Sequence, residues 1–400
     1  MTQVIGLTHT GLGRTDDGQF LPRVLPGETV EVGADGVPRI LSPSPDRVSP
    51  PCRHYKACGG CAMQHASDGF VEGWKAGIVA RALSAHGIEA QIEGVDTSPP
   101  RSRRRAKLSG RRTKKGAMVG FHARASDLLI EVPDCQLLTP ALMVAIPALE
   151  RLTALVGSRK GEVALTVTES LGGLDVHLDF STKDLTPELR ISLADFARQV
   201  GFARLVWGDE PIVTMTPPQQ QFGKARVVPP PGSFLQATRA GEAALVSAVR
   251  RIVGTAGKVV DLFAGCGTFA LPLAEGAQVH AVEGEAAMMQ ALDAGWRASS
   301  GLKQVTTETR DLFRRPLLSD ELAKFDAVVI DPPRAGAEAQ VAEIIGSGVP
   351  VVAMVSCNPV TFARDAQPLV SGGYGLNWVR VVDQFRWSSH VEVVAAFTRL

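Results

Sequence analysis

At 400 residues the chain is longer than one hydrophobic core usually organises, so two or three domains are expected. Its 42 basic and 41 acidic residues leave a formal net charge of +1, which excludes nucleic-acid binding through bulk charge and leaves local charge segregation as the route to it. The opening MTQVIGLTHT lacks the basic patch and apolar run of a secretory signal, and no apolar stretch approaches the roughly 20 residues of a membrane-spanning helix, so a cytoplasmic protein without membrane contact is expected.

Residues 1–45 are rich in Gly, Val and Pro, with strand-like pieces at Val24-Leu25 and Thr29-Val30-Glu31-Val32 that predict a small β-barrel. A proline-rich stretch from Leu41 to Pro51 reads as a linker. Cys52, Cys58 and Cys61 follow within ten residues, with Gly59-Gly60 inside the loop. Six cysteines are too few for a disulfide scaffold, and thiols this close in an irregular segment read as metal ligands. Cys135 is the best fourth ligand once Cys266 and Cys357 are assigned elsewhere, and four thiolates suit either zinc or a [4Fe-4S] cluster. Phe70, Val71, Trp74, Ile78, Val79 and Leu83 then recur at helical spacing.

Nine Arg or Lys residues and no acid lie between Arg101 and Lys115, a run suited to phosphates by counterion release, or else to blunting a sheet edge. From Arg101 to Pro218 the pattern is mostly strands, such as Val163, Leu165, Val167 and Leu174, Val176, Leu178. One helix is expected there, capped at Thr186-Pro187 and carrying Leu189, Leu193, Phe196 and Val200. The chain therefore divides into 1–45, a central β-rich unit over 46–220, and 221–400.

In the last unit short apolar runs alternate with helical segments: Val259–Phe263, Val279–Glu283, Ala327–Asp331, Val351–Ser356 and Val393–Phe397. Such alternation predicts an α/β, doubly wound, Rossmann-like sheet whose ligand sits at the carboxyl ends of the strands. Asp261, Glu283, Asp331 and Cys357 fall at those ends. Gly265-Cys266-Gly267 is a turn where a ligand can meet bare backbone, and Glu283, some twenty residues on, is placed to accept ribose hydroxyls; Ala270 fits the dinucleotide fingerprint only loosely. Asp331-Pro332-Pro333-Arg334 holds a carboxylate on rigid backbone. Cys357, in Ser356-Cys357-Asn358-Pro359, is a thiol at the mouth of the same crevice, suited to adding at carbon 6 of uracil so that carbon 5 can take a methyl group. Glu392, in His390-Val391-Glu392, offers a base for the carbon 5 proton. A cysteine at a strand end is otherwise a common core residue, and this applies equally to Cys266.

Together these residues resemble the bacterial uracil-5 RNA methyltransferases, and among them the iron-sulfur 23S rRNA enzymes of the RlmD type, from about Cys52 to Leu400. The resemblance implies a [4Fe-4S] cluster on Cys52, Cys58, Cys61 and Cys135, held in the central β-rich domain. It also implies an S-adenosylmethionine site in which Gln236, of Gly232-Ser233-Phe234-Leu235-Gln236, acts with Phe263, Thr268, Glu283, Asp311 and Asp331, and a nucleophile and base at Cys357 and Glu392. The first strands resemble a short TRAM barrel, and the implied partner is RNA, with 23S rRNA the better substrate for a monomeric enzyme. Thr268 stands where many members carry Asn, Thr238 follows where an Asn is common, and Phe385-Arg386-Trp387-Ser388 departs from the usual sequence before His-Val-Glu. Two alternatives stand beside this reading: an RNA cytosine-5 methyltransferase, for which Cys266 is the only spare second cysteine, and a non-catalytic iron-sulfur RNA-binding protein.

Overall fold

The computed structural model describes residues 1–34, 36–181 and 183–400. Five short strands, β1 (Thr2–Leu7), β2 (Leu12–Thr15), β3 (Phe20–Pro22), β4 (Thr29–Val32) and β5 (Pro38–Ser42), pair in the order β3-β2-β1-β4-β5 over a small core of Val4, Leu21, Val24 and Val30. All four ladders are antiparallel. The expected closure into a barrel is not seen: β3 and β5 remain the two edges among the described residues, because three residues in β3 present few backbone groups for a second ladder. The proline-rich stretch that follows is tethered, since Arg47 pairs with the fully buried Glu28.

Helix α1 (Asp68–Ser84) forms where the apolar spacing predicts it, capped by Ser67 and burying Val71, Trp74, Ile78, Val79 and Leu83. It leads to β6 (Ile92–Thr97). Both pack on the C-terminal sheet, so residues 68–97 join the last unit in space although the sequence partition groups them with the central one.

The central sheet comprises β7 (Arg105–Arg112), β8 (Ala117–His122), β9 (Leu129–Glu131), β10 (Glu162–Ser170), β11 (Gly173–Phe180), β12 (Phe202–Trp207) and β13 (Glu210–Thr214), in the order β13-β12-β11-β10-β7-β8-β9. Two helices cover it, α2 (Pro140–Val156) and α3 (Pro187–Val200), where the sequence predicts only α3. The segment forming α2 is uniformly apolar from Pro140 to Leu149 and carries Pro147 inside, so no polar face marks its first turns as a helix. A hairpin of β14 (Gln220–Phe222) and β15 (Ala225–Val227) follows.

The C-terminal unit runs α4 (Arg239–Val253), β16 (Lys258–Leu262), α5 (Ala270–Leu273), β17 (Gln278–Glu283), α6 (Ala286–Arg297), β18 (Val305–Thr309), α7 (Ser319–Leu322), β19 (Ala327–Ile330), α8 (Glu338–Ser347), β20 (Val351–Ser356), α9 (Pro359–Ser371), β21 (Tyr374–Asp383) and β22 (Glu392–Arg399). The sheet order is β18-β17-β16-β19-β20-β22-β21-β6. Strands β16 to β20 are parallel and β22 returns antiparallel to β20. One apolar layer lies under α1, α8 and α9 and the other under α4, α5 and α6, which is the doubly wound arrangement expected. All five expected strands are present. Strands β18 and β21 escape prediction because β18 (VTTET) is a polar edge and β21 carries its apolar residues without a clean alternation.

Candidate active site at the carboxyl edge of the sheet

The strand order reverses between β16 and β19, so a crevice opens outside their carboxyl ends. Along this edge lie Asp311 just after β18, Glu283 ending β17, the glycine turn after β16, Asp331 after β19 and Cys357 after β20. The antiparallel β20–β22 ladder ends with Ser356 opposite Val393, and one further step sets Cys357 beside Glu392. Register alone therefore brings the proposed thiol and base together from residues 35 positions apart in the chain.

The electrostatics record the same proximity. Burial pushes the Glu392 carboxyl up to about 8, Asp331 adds to the shift, and Gln384 and Arg334 oppose it. Burial likewise lifts the Cys357 thiol to about 11, reinforced by the charges of Glu392 and Asp331 and opposed by Arg334. Asp331 itself rises to about 7 through desolvation. Asn358 caps α9 by accepting from the Val360 amide at 3.1 Å, so the thiol sits at a helix N-terminus whose dipole favours a thiolate. Arg334 Nη2 donates to His390 Nδ1 at 2.9 Å, while its carbonyl accepts from Asn358 Nδ2 at 3.0 Å, tying the Asp-Pro-Pro-Arg segment to both neighbouring motifs.

Around the glycine turn, Glu283 accepts from the Gly265 amide at 3.2 Å and the Glu285 amide at 3.1 Å, which leaves each oxygen a further lone pair. Gly267 has φ +96°, and a Cβ there would meet Leu271 at 2.8 Å, so only glycine fits. Phe263, itself at φ 61°, places its ring 5.4 Å from that of the half-exposed Phe313. The sequence reading missed Phe313; an aromatic two residues beyond Asp311 was the available signal. Asp311 Oδ1 accepts from the Phe313 amide at 3.0 Å and shapes this loop. Thr268 borders a cavity of about 380 Å³ shared with Glu242, Val246 and Arg250 of α4. Gln236 is buried and receives a hydrogen bond from Gln384, another residue that sequence reasoning passed over.

Two expected site residues behave differently. Asp261 is wholly buried in β16 with neither carboxylate oxygen hydrogen-bonded, and desolvation, Asp331 and Glu283 raise it well above the carboxylate range. Cys266 is buried among aliphatic side chains, and its thiol is pushed up to about 12 by that burial.

The basic run also divides. Strand β7 is central rather than an edge strand. Arg104 is fully buried and pairs with Glu242, Arg105 donates to the Gly232 carbonyl at 2.9 Å, and Arg111 pairs with Glu162 at 3.2 Å. Arg101, Lys107, Arg112, Lys114 and Lys115 remain exposed. The triple arginine thus staples the central sheet to the last unit, since a guanidinium buried at a domain junction needs internal acceptors.

Cys52, Cys58, Cys61 and Cys135 line one small cavity with Tyr55, Phe121 and Leu137. Among the described residues no three or more His, Cys, Asp or Glu side chains form a group placed to hold a metal, so the expected four-cysteine ligand set is not seen as one. The loop docks on β8 by backbone: the Gly59 amide donates to the His122 carbonyl at 2.9 Å, and a Cβ at Gly59 would lie 2.8 Å from that oxygen.

An open doubly wound sheet with a glycine turn, an acidic crevice and a thiol paired with a buried acid defines a nucleoside-cofactor enzyme. A profile of the tRNA (uracil-5-)-methyltransferase family matches residues 230–399. RNA methyltransferases of Caulobacter vibrioides and Mesorhizobium japonicum are 46% and 44% identical, covering 99% and 98% of this chain and 98% and 95% of their own. The 23S rRNA (uracil(1939)-C(5))-methyltransferase RlmD of Halomonas elongata is 34% identical over 97% of this chain and 87% of its own. The chain therefore belongs to the RNA (uracil-5-)-methyltransferase family and is an enzyme of that class. The structure of Pyrococcus abyssi tRNA (uracil-54, C5)-methyltransferase with S-adenosyl-L-homocysteine shares the fold, with a TM-score of 0.74, 22% identity and 100% and 99% of the two chains covered.

Proposed function

We propose that the protein methylates carbon 5 of a uridine in RNA, with 23S rRNA as substrate, using S-adenosylmethionine and a covalent bond from Cys357. The observation that carries this reading is the register that sets Cys357 beside Glu392, next to Asp331. Cys357 loses its proton and its sulfur adds to carbon 6 of a flipped uracil, making carbon 5 nucleophilic. S-adenosylmethionine supplies the methyl group. Glu392 then removes the carbon 5 proton, the sulfur–carbon 6 bond breaks, and the thiolate is restored. Once ionised, the Asp331 carboxyl suits a cationic sulfonium, and the Phe263 and Phe313 rings offer an apolar face to a flat base. Gln236, Thr268, Glu283 and Asp311 complete the proposed cofactor set.

Cys52, Cys58, Cys61 and Cys135 would hold a [4Fe-4S] cluster. Their convergence on one apolar cavity supports a shared four-thiolate site, which suits a cluster or zinc alike, and the likeness to the RlmD-type enzymes favours the cluster. The rRNA assignment follows the name of the Halomonas relative, and the N-terminal sheet is assigned to RNA contact on its TRAM likeness. Burial of Cys266 counts against the cytosine-5 alternative, which needs a second accessible thiol.

Replacing Cys357 by Ala is expected to abolish methyl transfer while S-adenosylmethionine binding persists. RNA carrying 5-fluorouridine should be trapped covalently by the unaltered protein and released freely by the variant. Full activity of Cys357→Ala would end the proposal. Mapping 5-methyluridine in rRNA and tRNA from cells with and without the protein identifies the substrate, and loss confined to tRNA would overturn the rRNA assignment.

A further inference from the structure

Strands β21 and β22 form a hairpin whose ladder begins with Val382 opposite Glu392, and residues 384–391 loop out between them, a connection longer than an ordinary hairpin turn. A turn that long does not itself fix the direction of the returning strand. The proposed base therefore sits on the first rung of the ladder, where a strand frays most readily.

The Lys75 ammonium bridges the neck of this loop. It donates to Asp383 Oδ1 at 2.5 Å, to the Phe385 carbonyl at 3.2 Å and to the His390 carbonyl at 2.9 Å. Asp383 directly follows Val382 and His390 stands two residues before Glu392, so these contacts bracket the first rung on both strands. Three donors meet three acceptors, with Lys75 and Asp383 both wholly buried. The Asp383 carboxylate also accepts from the Phe385 amide at 3.1 Å, which tightens the same end of the loop. Helix α1 gives the ammonium a firm support: the adjacent Trp74 donates from Nε1 to the Thr8 carbonyl at 3.2 Å, and the helix buries Val71, Ile78 and Val79.

Stability alone does not account for this arrangement. A buried lysine–aspartate pair repays little beyond its own desolvation, and apolar side chains of similar volume commonly serve as well. What an apolar pair cannot do is hold two carbonyls on opposite sides of a loop neck. We infer that Lys75 is a positioning residue: by tying Asp383, Phe385 and His390 to one ammonium it sets the direction in which the chain enters β22, and so where the Glu392 carboxylate stands, a role that rests on the reading of Glu392 as the base. Loss of this clamp spares the steps that need Cys357. The sulfur still adds to carbon 6 and carbon 5 still takes the methyl group, but the carbon 5 proton leaves slowly, so the sulfur–carbon 6 bond persists and the methylated adduct accumulates.

The test uses the full chain, S-adenosylmethionine and total RNA from cells lacking the protein, with Lys75→Met and with Lys75→Met combined with Asp383→Asn, which leaves no buried charge unpaired. Both variants should hold a denaturant-resistant protein–RNA complex on ordinary uridine, as Glu392→Gln should, while the unaltered protein releases its product. Their kcat should fall by on the order of 100-fold, whereas kcat/KM for RNA, which reports the steps up to methyl transfer, should change by less than about threefold. Trapping on 5-fluorouridine RNA should persist in both. A double variant that turns over at the unaltered rate would overturn the inference, as would one that loses kcat/KM as fully as kcat without accumulating the complex. If Lys75→Met fails to fold, the double variant decides. If neither folds, hydrogen exchange of the unaltered protein decides: amides of residues 385–391 should exchange far more slowly than those of the exposed turn at residues 114–116, and equal exchange would defeat the clamp. Absence of trapping by the unaltered protein on 5-fluorouridine RNA, together with no complex in Glu392→Gln, would instead bring down the reading of Cys357 and Glu392.

Discussion

Glu392 is an acid that folding makes reluctant to ionise, and that has a cost in stability as well as a use in catalysis. Its carboxyl titrates near 8 in the fold and near 4.5 when exposed, so the folded chain holds a proton that the unfolded chain releases between those values. A raised folded pKa contributes stability that is complete below about pH 4.5 and lost as pH climbs to about 8. Glu392→Gln should therefore melt with the unaltered protein at pH 5 and several degrees above it at pH 9, with no further gain beyond. A melting difference independent of pH would contradict the burial argument. Asp331 makes a complementary prediction. With its carboxyl near 7, a positively charged sulfonium is attracted only once that proton has left, so S-adenosylmethionine affinity should fall as pH drops from 8 to 6. S-adenosylhomocysteine, which lacks the charge, should lose less. Calorimetric titration of both ligands at the two pH values separates them; equal pH dependence would exclude Asp331 as the group responsible.

At the scale of elements, β7 shows why a charge run is not itself an interface. Arg104 and Arg105 are consumed by carbonyls and by Glu242, while Arg101, Lys107, Arg112, Lys114 and Lys115 stay in water. Changing Lys114 and Lys115 to Ala should weaken RNA binding uniformly and reduce the slope of log affinity against log salt by about one for each phosphate no longer neutralised. An unchanged slope would remove this turn from the RNA surface. Another element-scale link joins the cysteine loop to the active site. The amides of Ala62 and Met63, directly after Cys61, both donate to the Trp387 carbonyl, at 2.6 and 2.9 Å, and the Trp387 ring packs against Cys61. Anaerobically purified protein should be brown with a visible charge-transfer band that is lost in Cys61→Ser. A colourless, zinc-containing protein would overturn the cluster. The departure at Phe385-Arg386-Trp387-Ser388 thus has a structural partner in the same chain: Arg386 pairs with Asp68 and stacks over Trp387.

Across the whole molecule, the active-site loop is held by segments far from it in the chain. Lys75 of α1, fully buried, donates to Asp383 and to the carbonyls of Phe385 and His390, at 3.2 and 2.9 Å, and so closes the neck of the loop that carries Glu392. Nothing in the local sequence marks Lys75, which occupies an ordinary position on an amphipathic helix whose partners lie more than 300 residues away. Helix α2 and strand β18 were illegible for a related reason: apolar residues on the exposed side of a helix, such as Val144, and polar residues along an edge strand both blur periodicity. The burial of Asp261 and of Cys266 is likewise a result of packing that neither residue's place at a strand end reveals.

Legible in the residues alone were the alternation that produces the parallel sheet, the turn that only glycine at 267 permits, and the short motifs that end at Asp331, Cys357 and Glu392. These are local in origin, since periodicity, steric demand and residue chemistry act within a few positions of the chain. Only the folded molecule decided which thiol lies beside which acid and which arginines remain free for a phosphate. Those outcomes depend on strand register and on burial, which are set by contacts between segments far apart in sequence and leave no mark on either segment by itself.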